Sequence, residues 1–300
     1  MAQVPVLSLN FVGMEKNPGF KLSVPLVLSM VHGLLYGDLL MRCLYKVRPY
    51  EKVEGSANEL YEKWNGIICE DMKHRKNNFK KYAPQIVKEF GELPVTDEIR
   101  PRVGIVGEIL VKFHPVANNQ AVSLIEREGG EAVVPDLLDF FMYNMYNATT
   151  KYEILDGTKT KKLVNNLGIW FVEKLRKPMT KALKGTKFGA PTHIAKMAKL
   201  AKRVVSPANM SGEGWFLTAE MLELIESGVG NIICMQPFAC LPNHVTGKGV
   251  MKEIKKQNPT ANIVAVDYDP GASEVNQINR IKLMMSVAFS NLKGENAATL

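Results

Sequence analysis

The chain has 300 residues, 46% of them hydrophobic, a formal net charge of +8 and four cysteines. That much apolar material builds sizeable cores and excludes a disordered chain. Four scattered cysteines in a chain of this length speak against a disulfide framework and for thiols or metal ligands.

The predicted elements run as follows. Val4–Leu9 reads as a core strand and Val24–Tyr45 as a long helix. The helix is interrupted by Ser29, His32, Gly33, Tyr36, Gly37 and Asp38, which is too broken a pattern for a membrane span. No charged start, apolar core and small-residue cleavage site mark a signal peptide at the N-terminus. Arg48–Tyr50 and Glu54–Ser56 are breaks, after which Ala57–Trp64 and Asp71–Phe90 carry helical patterns. The densest basic run, Lys73, His74, Arg75, Lys76, Lys80 and Lys81, has no nucleic-acid module around it and reads as a solvated face. Glu92–Pro101, with Pro94, Asp97 and Pro101, is a boundary.

Beyond it, Arg102–Gly107 is a strand, Ala121–Glu128 a short helix closed by Gly129 and Gly130, and Glu131–Pro135 another strand. Asp136 is the expected N-cap of a helix over Leu137–Tyr146. Two basic helices, Lys161–Leu183 and His193–Arg203, lead to a Gly-rich loop over Ser206–Thr218, with Thr218 the expected cap of Ala219–Ser227. Asn231–Met235 and Asn262–Val266 are apolar strand runs on either side of a helical pattern over Val245–Gln257. Two strand, helix, strand units make an α/β protein of Rossmann-like units with parallel sheets, arranged as separate sheets or as halves of one, plus a helical N-terminal region. The expected division is 1–98, 99–205 and 206–300.

In parallel α/β sheets ligands gather beyond the carboxyl ends of the strands. Glu108, Lys112 and His114 follow one strand, Cys240 follows another, and Asp267 and Asp269 follow a third. Glu108 and His114 are therefore candidate catalytic groups, with ordinary loop polarity as the bland alternative. Cys240 stands between a strand and a helical pattern, where a helix dipole would stabilise a thiolate for metal or cluster ligation. A small buried thiol is an equally good reading from these residues. Cys234, inside the strand run, reads as a small hydrophobe, and Cys43 and Cys69 as core. Ser211–Trp215, SGEGW, either lines a pocket with Glu213 or forms a turn with a packed indole. Gly104–Gly107 lacks the spacing of a dinucleotide fingerprint, Thr246–Lys248 lacks the leading glycine of a phosphate loop, and no Ser, His and Asp order supports a hydrolase.

Long stretches resemble a known family. RPYEKVEGSANELYEKW, GIVGEILVKFHPVANN, GGEAVVPDLLDFF, SGEGWFLTAEMLELIESGVGNIICMQPFACLPNHVTGKG and VAVDYDPGASEVNQINRIKLM are similar to the C-terminal end of the long CoA-substrate-specific enzyme activase proteins. In those proteins, activase-type ATPase domains precede a module resembling the D-component of 2-hydroxyglutaryl-CoA dehydratase. The resemblance implies stacked Rossmann-like units whose cysteines converge on an iron–sulfur cluster between them. It points to Cys240, with Pro242 two residues on, as a cluster ligand, and to Cys234 as a weaker second. It matches Asp267, Asp269 and Arg280 to the acidic loop and helix that follow, and with Glu213 the two aspartates are candidate cofactor-binding groups.

The family's N-terminal cysteine motifs and its ATPase motif are absent. The expectation is therefore a C-terminal fragment of an ATP-coupled dehydratase or activase-like protein, cytoplasmic, in which the isolated chain need not hold the cluster. Upstream dehydratase-like and activase ATPase domains are its expected partners, with an acyl-CoA substrate, no nucleic acid, no membrane, and a homodimer as a further option. The alternative is a docking or scaffold module without cofactor.

Overall fold

The computed structural model describes residues 23–269, 271 and 273–298. The expected strand at Val4–Leu9 lies outside them. The chain opens with helices α1 (Val24–Val47), α2 (Ser56–Lys73) and α3 (Phe79–Glu92). Strand β1 (Arg102–Gly107) follows, then α4 (Ile109–Phe113), α5 (Ala121–Arg127) and strand β2 (Glu131–Val133). Helices α6 (Leu137–Ile154), α7 (Lys159–Leu183), α8 (Ile194–Ala201) and α9 (Gly214–Glu226) lead to strand β3 (Asn231–Gln236). Helix α10 (Met251–Gln257), strand β4 (Asn262–Asp267) and α11 (Glu274–Ala298) complete the order.

The strands pair in parallel in the order β2-β1-β3-β4, so the two expected units are halves of one sheet. The strand runs are rich in Val and Ile at consecutive positions, as strands covered on both faces require. The pleat sorts them. Val103, Ile105, Ile233 and Met235 enter one core with α5 and α11, while Val106, Ile232 and Cys234 enter the other with the N-terminal helices and α6 to α9. Gly104 belongs to the second face, where a Cβ would stand 2.6 Å from a Leu224 methyl, so α9 packs close against β1.

Helix α1 begins at Ser23, whose hydroxyl accepts from Leu26 N at 3.4 Å, and buries Leu35, Leu39, Cys43 and Val47, one residue per turn. Val24–Tyr50 is long and apolar enough, by length and composition, to cross a membrane, and it is the one such helix among the described residues. In this fold it is a core helix running along the outer side of β2. Lys46 Nζ and Tyr50 Oη both donate to Glu131 Oε2 at 2.7 Å, and Tyr45 packs against the cores of both faces. The open edge of β2 is thereby covered.

Some local readings differ from expectation. The helical pattern over Asp71–Phe90 breaks at His74–Asn78, because buried Asp71 accepts from Asn78 N at 3.1 Å and from Asn78 Nδ2 at 2.6 Å, closing a turn in which Arg75 and Asn77 take φ of 51°. Asp136 does not cap α6 with its side chain. Asp38 on α1 does so, accepting from Leu137 N at 2.8 Å and Leu138 N at 3.0 Å, while Asp136 pairs with Arg42. Thr218 is buried inside α9, its hydroxyl donating to Thr246 O at 2.6 Å, because α9 starts at Gly214. The helical pattern over Val245–Gln257 is helical throughout but changes pitch, with a wide π turn over Asn243–Gly247 and a tight turn over Lys248–Val250 before α10.

Candidate functional site

The chain leaves β1 toward β2 on one side and leaves β3 toward β4 on the other, so the carboxyl ends of β1 and β3 flank the topological switch point. They are held close. Gly107 takes φ of 142°, its added Cβ would stand 1.9 Å from Met235 O, and Glu108 N donates to the same oxygen at 3.0 Å.

Glu108 caps α4, accepting from Val111 N at 2.9 Å, and Glu213, 6% exposed, accepts from Ile109 N at 3.1 Å. Burial raises the Glu213 carboxyl above the usual carboxylate range, and Glu108 adds to it. Cys240 stands on the loop after β3, half-buried, and its thiol is also raised, first by burial and then by Glu213 and Glu108. This is opposite to the thiolate stabilisation that the loop position suggested. The helical turns after Cys240 do pull the thiol down, through the Asn243 amide, but burial outweighs that pull and Glu213 and Glu108 add to the rise.

Asp267 accepts from Gln236 Nε2 at 2.6 Å, and Asp269 accepts from Phe238 N, so the two aspartates fasten the loop after β3 to the end of β4. Arg280 donates to Ala265 O at 2.9 Å. Cys234 is fully buried, its thiol pushed up to about 12 by burial, and a Cβ on Gly247 would lie 3.1 Å from its Sγ. It is packed core. His114 is exposed and closes its own turn by accepting from Ala117 N at 3.3 Å, apart from the others. The structure thus brings together Glu108, Glu213 and Cys240, ties in Asp267 and Asp269 through the loop, and leaves out His114; Cys234 lies beneath this edge in the core, where Glu220, Asp267, Glu213 and Cys240 add to the rise of its thiol.

SGEGW is a turn with a packed indole. Trp215 is fully buried, donates from Nε1 to Asn147 Oδ1 at 2.9 Å and stands edge-on to Tyr143. Gly214 takes φ of 45° where a Cβ would strike Asn209 O at 2.3 Å.

Three groups at this edge escaped the sequence reading. Glu220, hidden in the apolar run of α9, receives Lys112 Nζ at 2.7 Å in a pair closed to solvent. Gln236 and Asn243 are fully buried, and Gln236 Oε1 and Asn243 Oδ1 have no hydrogen-bond partner among the described residues. A polar residue ending an apolar strand run, as Gln236 does, was the available signal.

A cluster would need several thiolates or equivalent donors. Among the described residues no three His, Cys, Asp or Glu side chains form a group that could hold a metal ion. Cys234 is packed away, and Cys43 and Cys69 lie on α1 and α2. The described residues therefore do not fit a cluster by themselves, and Cys240 is the single cysteine at the edge. A cavity of about 130 Å³ along β2 is lined by Arg42, Lys46, Arg102 and Lys187 among others. Arg42 pairs with Asp136 and both Lys46 and Arg102 with Glu131, while Lys187, its ammonium lowered by burial and by Lys46, has no carboxylate ion pair among the described residues. Comparison with known protein families, with curated proteins and with solved structures found no match.

Proposed function

We propose that the chain is the C-terminal α/β portion of an ATP-coupled iron–sulfur protein of the 2-hydroxyacyl-CoA dehydratase and activase kind, acting in the cytoplasm. In this reading the edge between β1 and β3 is one wall of a cluster pocket that serves low-potential electron transfer or dehydration, and Cys240 is its one contributed thiol. The observation that supports it is the surface around that cysteine. Phe238 and Leu241 are 79% and 71% exposed beside Cys240, an apolar lip that a neighbouring domain would cover. The ATPase, the other cluster ligands and the acyl-CoA site belong to activase-like and dehydratase-like partner domains.

This chain's residues hold the lip in place. Asp269 fixes Phe238 N and Asp267 fixes Gln236, while burial, with Glu213 and Glu108 adding to it, raises the Cys240 thiol, a rise that a metal bound there would offset. Co-expression with activase-like and dehydratase-like domains in the absence of oxygen, followed by iron and sulfide determination, tests the reading. Iron that Cys240→Ser removes and Cys234→Ser leaves in place is the expected result. Iron indifferent to Cys240→Ser overturns the assignment.

A docking module without cofactor is the second reading, favoured by the raised Cys240 thiol and the lack of a second ligand among the described residues. A colourless, iron-free complex of the same composition would select it.

A further inference from the structure

The cavity along β2 is lined by residues of α1, β2, α9 and the turn after α7, and none of Glu108, Glu213 and Cys240 borders it. It is therefore separate from the edge between β1 and β3. Its floor is apolar, for Val134, Met197, Phe216 and Leu224 line it and are buried.

Its charge is uneven. Lys46 Nζ takes one oxygen of the Glu131 carboxylate at 2.7 Å and Arg102 Nε takes the other at 3.1 Å. Lys187, exposed at the mouth, has no carboxylate ion pair among the described residues, and its ammonium is lowered, first by burial and then by the charge of Lys46. The other carboxylates that line the cavity are engaged: Arg42 donates to Asp136, Arg176 to Asp139, and Thr192 Oγ1 to Glu223 at 3.1 Å. Lys46, Arg102 and Lys187 thus have one carboxylate among them, and cations gathered in this way are relieved by a further anion. The turn that carries Lys187 is held in place. Thr186 Oγ1 donates to Leu183 O at 2.7 Å, and Arg42 Nη1 donates to Gly189 O at 3.4 Å.

We propose that this cavity binds a short-chain monocarboxylate, its carboxylate against Lys187, Lys46 and Arg102 and its hydrocarbon body on Val134, Met197, Phe216 and Leu224. An apolar lining with a few placed polar groups is the usual make-up of a small-molecule site. A cavity of about 150 Å³ takes benzene, so this one takes roughly six non-hydrogen atoms, the size of butyrate. Inorganic phosphate would leave the apolar floor uncovered. A second carboxylate on the ligand would approach Asp136 and Glu223, which favours a single charge.

Calorimetric titration of the full chain with sodium butyrate at pH 7 tests the site, with butylamine and inorganic phosphate compared at equal ionic strength. Butyrate is expected to bind saturably with a Kd of about 1 mM, phosphate more than about tenfold more weakly, and butylamine not at all. Lys187→Ala, at an exposed position, should leave the melting temperature unchanged and weaken butyrate about tenfold; Lys187→Arg should retain it, and Lys184→Ala should bind as the wild type does. Absence of saturable butyrate binding, or a Lys187→Ala variant that binds as tightly as the wild type, overturns the proposal. An equal loss in Lys184→Ala would reduce the effect to general surface charge and overturns it too. Phosphate binding as tightly as butyrate would assign the cations to an inorganic oxyanion, which overturns the carboxylate class.

Discussion

Lys112 Nζ on α4 and Glu220 Oε1 on α9 stand 2.7 Å apart with their side chains 4% and 1% exposed, an ion pair that joins two helices beside the end of β1. Removing one partner leaves a buried charge alone. Lys112→Met is expected to cost about 3–5 kcal/mol, and Lys112→Met with Glu220→Leu to recover most of it, because no unpaired charge remains. Urea denaturation of the two single variants and the double variant measures the difference. A single variant as stable as the wild type would refute the pairing.

The same pair sets a pH dependence. Burial raises Glu220 from its ordinary 4.5 to about 7, against the pull of Lys112. Its folded pKa lies above the unfolded one, so the folded state binds the extra proton between those values. The associated stability is fully present below about pH 4.5 and is lost as pH rises through 7. Relative to Glu220→Gln, the wild type should lose on the order of 3 kcal/mol across that window and change little above it, at 1.36 kcal/mol per pKa unit. Thermal melts of both proteins from pH 4.5 to 8.5 check the sign.

The cap of α6 comes from Asp38, so Asp38→Ala should destabilise by about 1–2 kcal/mol and Asp136→Ala should leave the cap intact. Hydrogen exchange separates them. The Leu137 and Leu138 amides are expected to exchange faster in Asp38→Ala alone; equal protection in both variants contradicts the assignment.

Gly107→Ala forces a Cβ to within 1.9 Å of Met235 O at a φ of 142°. The expected loss exceeds about 3 kcal/mol, since backbone rather than a flexible side chain stands in the way. Gly230→Ala, with nothing within 4 Å, serves as the control and should be nearly silent in the same denaturation experiment.

Thiol reactivity follows burial. Cys69 is exposed, Cys240 half-buried with a raised thiol, and Cys43 and Cys234 buried. An aromatic disulfide reagent at pH 8 should titrate one thiol quickly, a second slowly, and two only after denaturation. The slow phase should vanish in Cys240→Ser. A Cys240 that reacts faster than Cys69 would mean that the carboxyl groups do not govern it.

Strands were legible because burial on both faces leaves an unbroken apolar run, as in Asn231–Gln236, whereas the helix caps were not: Thr218 lies inside α9 and Asp136 makes no capping bond, while Ser23 and Thr158, which do cap, went unread. What the sequence concealed acts over distance. Asp38 caps a helix 99 residues away, which no local pattern announces, and Asp136, the local candidate, was taken by Arg42. Glu220 hid in an apolar helix because its partner Lys112 is 108 residues away. At the site, Glu108 and Cys240 were readable as residues after strands, and Glu213 as part of the Gly-rich loop before α9. The direction of the Cys240 shift was not, since it depends first on how far the fold buries the sulfur and then on the carboxyl groups of Glu213 and Glu108.

The placement of α1 along β2 has a consequence for synthesis. This helix leaves the ribosome early, yet the groups it binds, Glu131 and the start of α6, follow 85 to 100 residues later. In that interval α2 and α3 emerge and pack on it, Tyr36 meeting Phe79 edge-on and donating to Asp71, while the side that will meet β2 still lacks its partner. When β2 emerges, it meets a helix already formed beside its open edge, with Lys46 and Tyr50 placed to take the Glu131 carboxylate. A variant that delays α1, such as a proline at Leu39, should therefore show its defect as aggregation during translation in a cell-free system, more than as reduced stability of whatever protein completes folding.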